Sequence, residues 1–131
     1  MSKPYAIFDY SQLPIVVIDV QREPLSVEDF QVYLTEMEEM YKKHESVILI
    51  FDTEKAKYLS GEFRILQGNW IKAHKHTIAK QAQHMIFIIS SPIINMILKA
   101  ILIIQPLPAP HKVVKSKEEA IEFAHQLLVA L

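Results

Sequence analysis

Ser60 followed by Gly61, in the run "KAKYLSGEFRIL", puts a hydroxyl ahead of a long helical pattern. A serine there is a good N-cap, contributing about 1 kcal/mol when its side chain accepts a backbone N–H. A phosphate on the same hydroxyl would also be favoured, because free amides and the helix dipole attract anions. Structural capping and regulatory phosphorylation share one geometry, and the sequence leaves both open.

Asp52 closes one apolar run, Ser90 and Ser91 close the next, and Lys112 and Lys115 flank a third. The set loosely resembles a phosphoacceptor receiver domain, but no acidic pair follows the first apolar run to hold magnesium, and a second strand stands where a helix should. Capping of strand ends by the acid and hydroxyls is the plainer account. His74 and His76 diverge by about 200° on a helix and cannot chelate together. His44, His84, His111 and His125 are scattered, so no metal site is expected. Trp70 belongs to the core or to the floor of a pocket. No base, nucleophile and orienting group can be assembled, so neither an enzyme nor a catalytic residue is expected.

Composition narrows the classes further. The chain has no cysteine, which excludes thiol catalysis and thiolate metal sites and fits a reducing compartment. Gly61 and Gly68 are the only glycines, too few for a phosphate-cradling loop, and no cofactor is expected. A net charge of −1 with dispersed basic residues gives no nucleic-acid footprint. Asp9 falls too early for a secretory signal, so a cytoplasmic protein is the expectation. With 131 residues, half of them apolar, the chain fits one domain, 1–131, around one core.

The elements that would position these residues follow from periodicity. Residues 5–10 and 15–20 are β-branched and aromatic runs separated by "SQLP", an antiparallel pair too close for a crossover. Ser26 with Asp29 opens helix one, whose inner stripe is Phe30, Leu34, Met37 and Tyr41. "VILIFD" at 47–52 is apolar at five consecutive positions, as in an interior strand covered on both faces. After Ser60 and Gly61, one long helix is expected with Phe63, Leu66, Trp70, Ala73 and Thr77 inward. A buried strand at 84–90, a helix at 92–104, the short strand "HKVV" and a last helix capped by Ser116 complete the chain. The order is β-β-α-β-α-β-α-β-α, an α/β domain with a mixed, mostly parallel five-stranded sheet.

Residues 85–104, "MIFIISSPIINMILKAILII", carry a single charge. A spanning helix would bury "SSP" and Asn95 in hydrocarbon, whereas strand, turn and helix use Ser90, Ser91 and Pro92 as punctuation, so no transmembrane segment is expected. Helix three should turn Ile93, Ile97, Ala100 and Ile104 to the sheet. Its flanks, Ile94 with Leu98 and Met96 with Ile103, would then line a homodimer interface or a ligand pocket.

The stretch "VILIFDTEKAKYLSGEFRIL" and the ending "KVVKSKEEAIEFAHQLL" resemble the STAS superfamily, in particular its SpoIIAA-like, STAS/Sec14-like bacterial branch. The resemblance spans almost the whole chain and implies the SpoIIAA-like fold. In the anti-sigma factor antagonists the residue before the glycine is a regulatory phosphoserine, which places that role on Ser60. Tyr58 and Leu59 stand where the antagonists carry aspartate and serine. Two functions are implied. One is a non-catalytic module that meets a regulatory protein, or a second copy of itself, through Tyr58, Leu59, Ser60, Gly61 and helix three. The other is a Sec14-like carrier or sensor of a small apolar molecule, such as a lipid, held near Trp70 between helices two and three.

Overall fold

The computed structural model describes residues 3–130. Strands β1 (Ala6–Gln12) and β2 (Ile15–Val20) form the expected antiparallel pair. Strands β3 (Val47–Asp52), β4 (Ala82–Ile88) and β5 (His111–Val114) then add in parallel, giving the order β1-β2-β3-β4-β5. The sheet is mixed and mostly parallel, with β1 at one edge and the apolar run of β3 at its centre.

Each parallel strand lies beside its predecessor, so every crossover steps the same way across the sheet. Right-handed crossovers stepping one way place their helices on one face. Helices α1 (Val27–Lys43), α2 (Gly61–Ala73), α3 (Lys75–Gln81) and α4 (Pro92–Ile104) accordingly share a core with Val16, Leu49, Phe51, Met85 and Phe87. Helix α5 (Lys117–Ala130) follows the last strand and closes the opposite face over Ile48, Ile50, Ile86 and Ile88. Alternate residues of β3 thus enter two different cores, which is why all five of its apolar positions are buried.

The expected long second helix is two helices, and the element order becomes β-β-α-β-α-α-β-α-β-α. The break falls at His74, whose φ of −112° and ψ of 15° leave the helical region. Its backbone N–H still donates to the carbonyls of Trp70 and Ile71, and its ring stacks on Trp70 with centroids 4.2 Å apart. The restart at Lys75 changes the helical phase. Ile78 is therefore buried in place of Thr77, and the buried side of α2 is Phe63, Gly68 and Ile71, with Leu66 and Trp70 half-buried and Ala73 exposed.

Helix α4 also sits in a different phase from the one expected. Ser91 caps it, its hydroxyl accepting from the Ile94 N–H, and Pro92 occupies its first turn. Its buried residues are Ile94, Ile97 and Ile101. Ile93 is 50 % exposed and Ile104 37 %. An almost wholly apolar helix carries no polar stripe strong enough to select its rotation. The selection comes from α2, where a Cβ on Gly68 would stand 2.7 Å from Ile104 Cγ2. That close approach holds Ile104 beside α2 and turns Ile94 and Ile101 inward. Among the described residues no helix is long and apolar enough to cross a membrane.

Candidate apolar ligand site

Two adjoining cavities lie between α1, α2, α4 and the sheet. The inner one, about 90 Å³, is lined from Tyr41 and Met37 on α1 to Trp70 on α2 and Leu98 on α4. The outer one, about 100 Å³, runs past Ile94 and Ile97 to Arg22, Thr53, Tyr58 and Leu59. Tyr33, Phe51, Gln67, Phe87, Leu98 and Ile101 belong to both walls. Phe51 and Phe87 form a flat floor, stacked at 5.0 Å with an interplanar angle of 11°.

Four tyrosines, Tyr5, Tyr33, Tyr41 and Tyr58, line this apolar space. Tyr5 and Tyr33 meet edge to face at 5.2 Å, and Tyr33 lies within electrostatic reach of Tyr41. Burial pushes the ionisation of all three well above the ordinary tyrosine range, reinforced at Tyr5 by Asp29 and at Tyr33 by its two neighbours. All three remain protonated donors. The Tyr41 side chain is 96 % buried by its residual exposure of 4 %, yet its hydroxyl has no hydrogen-bond partner among the described residues. An unpaired buried donor costs about 1–3 kcal/mol, and this hydroxyl is packed too closely for a water to reach it.

The outer end is built by two arginines. Arg22 donates to Asp29 (Nη2 to Oδ1, 3.0 Å) and to the Lys3 carbonyl (Nε, 2.9 Å), which ties β2 to the start of α1. The same bond lowers the Asp29 carboxyl below its usual range, and the guanidinium is committed within the fold. Arg64 donates from Nη2 to the Tyr58 hydroxyl at 2.8 Å and from Nε to the Leu59 carbonyl at 2.7 Å. Its guanidinium also stands 5.3 Å from the Tyr58 ring centroid. Arg64 therefore holds the loop before α2 against the outer cavity, a role that no sequence signal had marked.

The residues singled out from sequence separate into groups. Tyr58, Leu59, Ile94 and Leu98 line the outer cavity, and Trp70 joins Leu98 at the inner one. Ser60 lies at the start of α2 as expected, but its hydroxyl makes no capping bond. Backbone atoms begin the helix, the Ser60 carbonyl accepting from the N–H groups of Phe63 and Arg64 at 3.1 Å. Gly61 is exposed, with open space where a Cβ would stand. Met96, 64 % exposed, and Ile103, 85 % exposed, lie with Ile93 on the outward side of α4, away from Ile94 and Leu98. The flanks expected to act together face opposite ways.

The strand-end residues do not converge. Asp52 accepts from the Glu54 N–H at 3.0 Å, Ser91 caps α4, and Lys112 stands 4.5 Å from the Phe123 ring centroid on the α5 side. His84 meets Phe123 edge-on, and burial, then His111 and Lys112, lower its pKa. Among the described residues no group of three or more His, Cys, Asp or Glu side chains stands close enough to hold a metal ion. Tyr41 and Tyr33 were missed as site residues. Tyr41 was visible only as part of an inner stripe, and a polar tip on a buried face was the available signal. No family model matches the sequence, and no curated protein matches it significantly.

Proposed function

We propose that the protein is a non-catalytic binding module, a carrier or sensor that takes up a small apolar molecule between α2, α4 and the sheet. One observation carries the reading: two apolar cavities that share a wall of Tyr33, Phe51, Phe87, Leu98 and Ile101. Spaces lined by aromatic and aliphatic groups stay dry and accept apolar guests, and since an engineered one of roughly 150 Å³ takes benzene, a guest of that size here would reach across both cavities. The resemblance of the Ser60 loop and the chain ending to the STAS/Sec14-like branch points the same way. Native mass spectrometry of the purified protein tests it: a small mass retained by the wild type and lost in Leu98→Trp supports the reading. An identical ligand-free mass for both, together with no binding of added apolar probes, refutes it.

A second reading is favoured by the outward side of α4. Ile93, Met96 and Ile103 are exposed at helical spacing, a stripe suited to another copy of the chain, with the Ser60 loop free for a regulatory partner. Met96→Glu together with Ile103→Glu should convert a dimer to a monomer without unfolding. A wild type that sediments as a monomer at every concentration removes this reading.

A further inference from the structure

We infer that Arg64 is the positioning residue that controls passage into the apolar cavities. It holds Tyr58 and Leu59 on the rim of the outer cavity and so keeps the loop between β3 and α2 closed, and a guest enters or leaves when those bonds break. The inference rests on the apolar-ligand reading and names what regulates the same site.

Thr53, Ala56, Tyr58 and Leu59 bring this loop onto the outer cavity wall, and Tyr58 is 45 % exposed, so the loop stands between the cavity and solvent. The start of the loop is fastened. The Thr53 hydroxyl donates to the Ile88 carbonyl at 2.6 Å, and the Ala56 N–H donates to the Thr53 carbonyl at 3.0 Å. The far end is held differently. Among the described residues, Lys57, Tyr58 and Leu59 make no hydrogen bond within the chain except those that Arg64 donates to the Leu59 carbonyl and the Tyr58 hydroxyl. Gly61 follows directly, with no side chain and open space around it to obstruct a swing of the loop. Other irregular stretches of wall are tied down. The Tyr5 carbonyl accepts from the Gln21 N–H at 2.8 Å and the Ile89 N–H donates to the Val114 carbonyl at 2.9 Å, while Arg22 is engaged by Asp29. At the inner cavity, Leu107 belongs to the linker "QPLPAP", where prolines restrict the backbone and the Pro110 carbonyl accepts from the Met85 N–H at 2.9 Å. A segment held by side-chain bonds alone opens at far lower cost than a helix or strand, so the way in passes Tyr58 and Leu59.

Trp70 is the only tryptophan and lies on the inner wall, so its indole N–H resonance reports occupancy without further assignment. The full chain is titrated with benzene as wild type, Arg64→Met and Pro108→Ala, and the line shapes of that resonance give both affinity and exchange rates. When exchange waits on a rarely open loop, a larger open fraction speeds entry and exit together and leaves their ratio almost unchanged. Arg64→Met keeps the stem and deletes both donors, so it should raise both rates roughly tenfold with the dissociation constant within about twofold. Pro108→Ala frees the linker instead and should leave both rates at their wild-type values. Unchanged rates in Arg64→Met, a rise in Pro108→Ala alone, or weaker binding without faster entry overturns the gate and leaves the apolar site standing. If saturating benzene does not move the Trp70 resonance of the wild type, the site fails and the inference fails with it. Should Arg64→Met not fold, Tyr58→Phe removes one of the two bonds at an exposed position and should raise both rates about threefold, and unchanged rates there overturn the gate.

Discussion

The two faces of the sheet are closed by opposite means. On one face α5 presents Ala120 and Ala124, both fully buried, against the isoleucines of β3 and β4. Small side chains let the helix lie close to the strands at these two positions, and neither of the open grooves along α5 is lined by Ala120 or Ala124. On the other face α1 brings Phe30, Tyr33, Met37 and Tyr41, and α2 brings Phe63 and Trp70, to the same sheet. Large side chains leave gaps more readily than small ones, and the space between α1, α2 and α4 remains. The close-packed face holds the sheet, and the gapped face has room to bind.

Alkali should produce the largest difference between them. Tyr5, Tyr33 and Tyr41 all belong to the four-helix face, and in the folded chain each ionises well above the usual value of about 10. Tyr10, on the same face and donating to Glu36, is pushed up to about 12. A raised folded pKa gives stability that is complete below about pH 10 and is lost as pH rises towards the folded values, because only the unfolded chain releases protons there. Urea melts between pH 8 and 11.5 should show this loss, with a shallower slope in Tyr41→Phe. A flat profile would remove the buried tyrosines from the account.

Packing variants probe the same contrast at smaller scale. Ala124→Leu forces a side chain into the close-packed face and should cost about 1–3 kcal/mol. Leu98→Phe adds volume beside both cavities and should cost less than about 1 kcal/mol or stabilise. Equal losses in denaturant melts would mean that the two faces are packed alike. Gly68→Ala should come next, at about 1 kcal/mol, because the added methyl meets Ile104 while the helix gains from alanine. Ile104→Ala in the same chain should recover most of that loss.

The smallest effect belongs to the α5 face. His84, held below the ordinary histidine value by burial, His111 and Lys112, favours the neutral ring in the fold. Its contribution is present above about pH 6.5 and is lost as pH falls through the lower folded value, since the unfolded chain takes up its proton first. A slight fall in melting temperature from pH 7 to pH 5, absent in His84→Gln, is the expected result.

Much of the fold was legible because strands and caps carry local signals. The run "VILIFD" announced a strand covered on both faces, Ser26 and Ser116 announced helix starts, and their hydroxyls accept from Asp29 and Glu119 at 3.1 and 3.2 Å. The break at His74 was hidden, because it rests on the stacking of His74 on Trp70 and on a restart that no glycine or proline marks. The rotation of α4 was hidden for the opposite reason. Nearly every position in "IINMILKAILII" suits a core, and the choice depends on Gly68 of another helix. The site was half legible: Tyr58, Leu59, Trp70, Ile94 and Leu98 were named for their place in one loop and two helices, whereas Tyr33 and Tyr41 became site residues only when the fold set them on the cavity walls.

The space between α1, α2, α4 and the sheet is tested most directly by crystals of the full chain pressurised with xenon, which enters apolar cavities and scatters strongly. The account predicts xenon between Trp70 and Leu98 in the inner cavity, between Ile94 and Phe87 in the outer one, and none under Ala120 and Ala124. Xenon absent from both cavities, or bound beneath α5 instead, would contradict it.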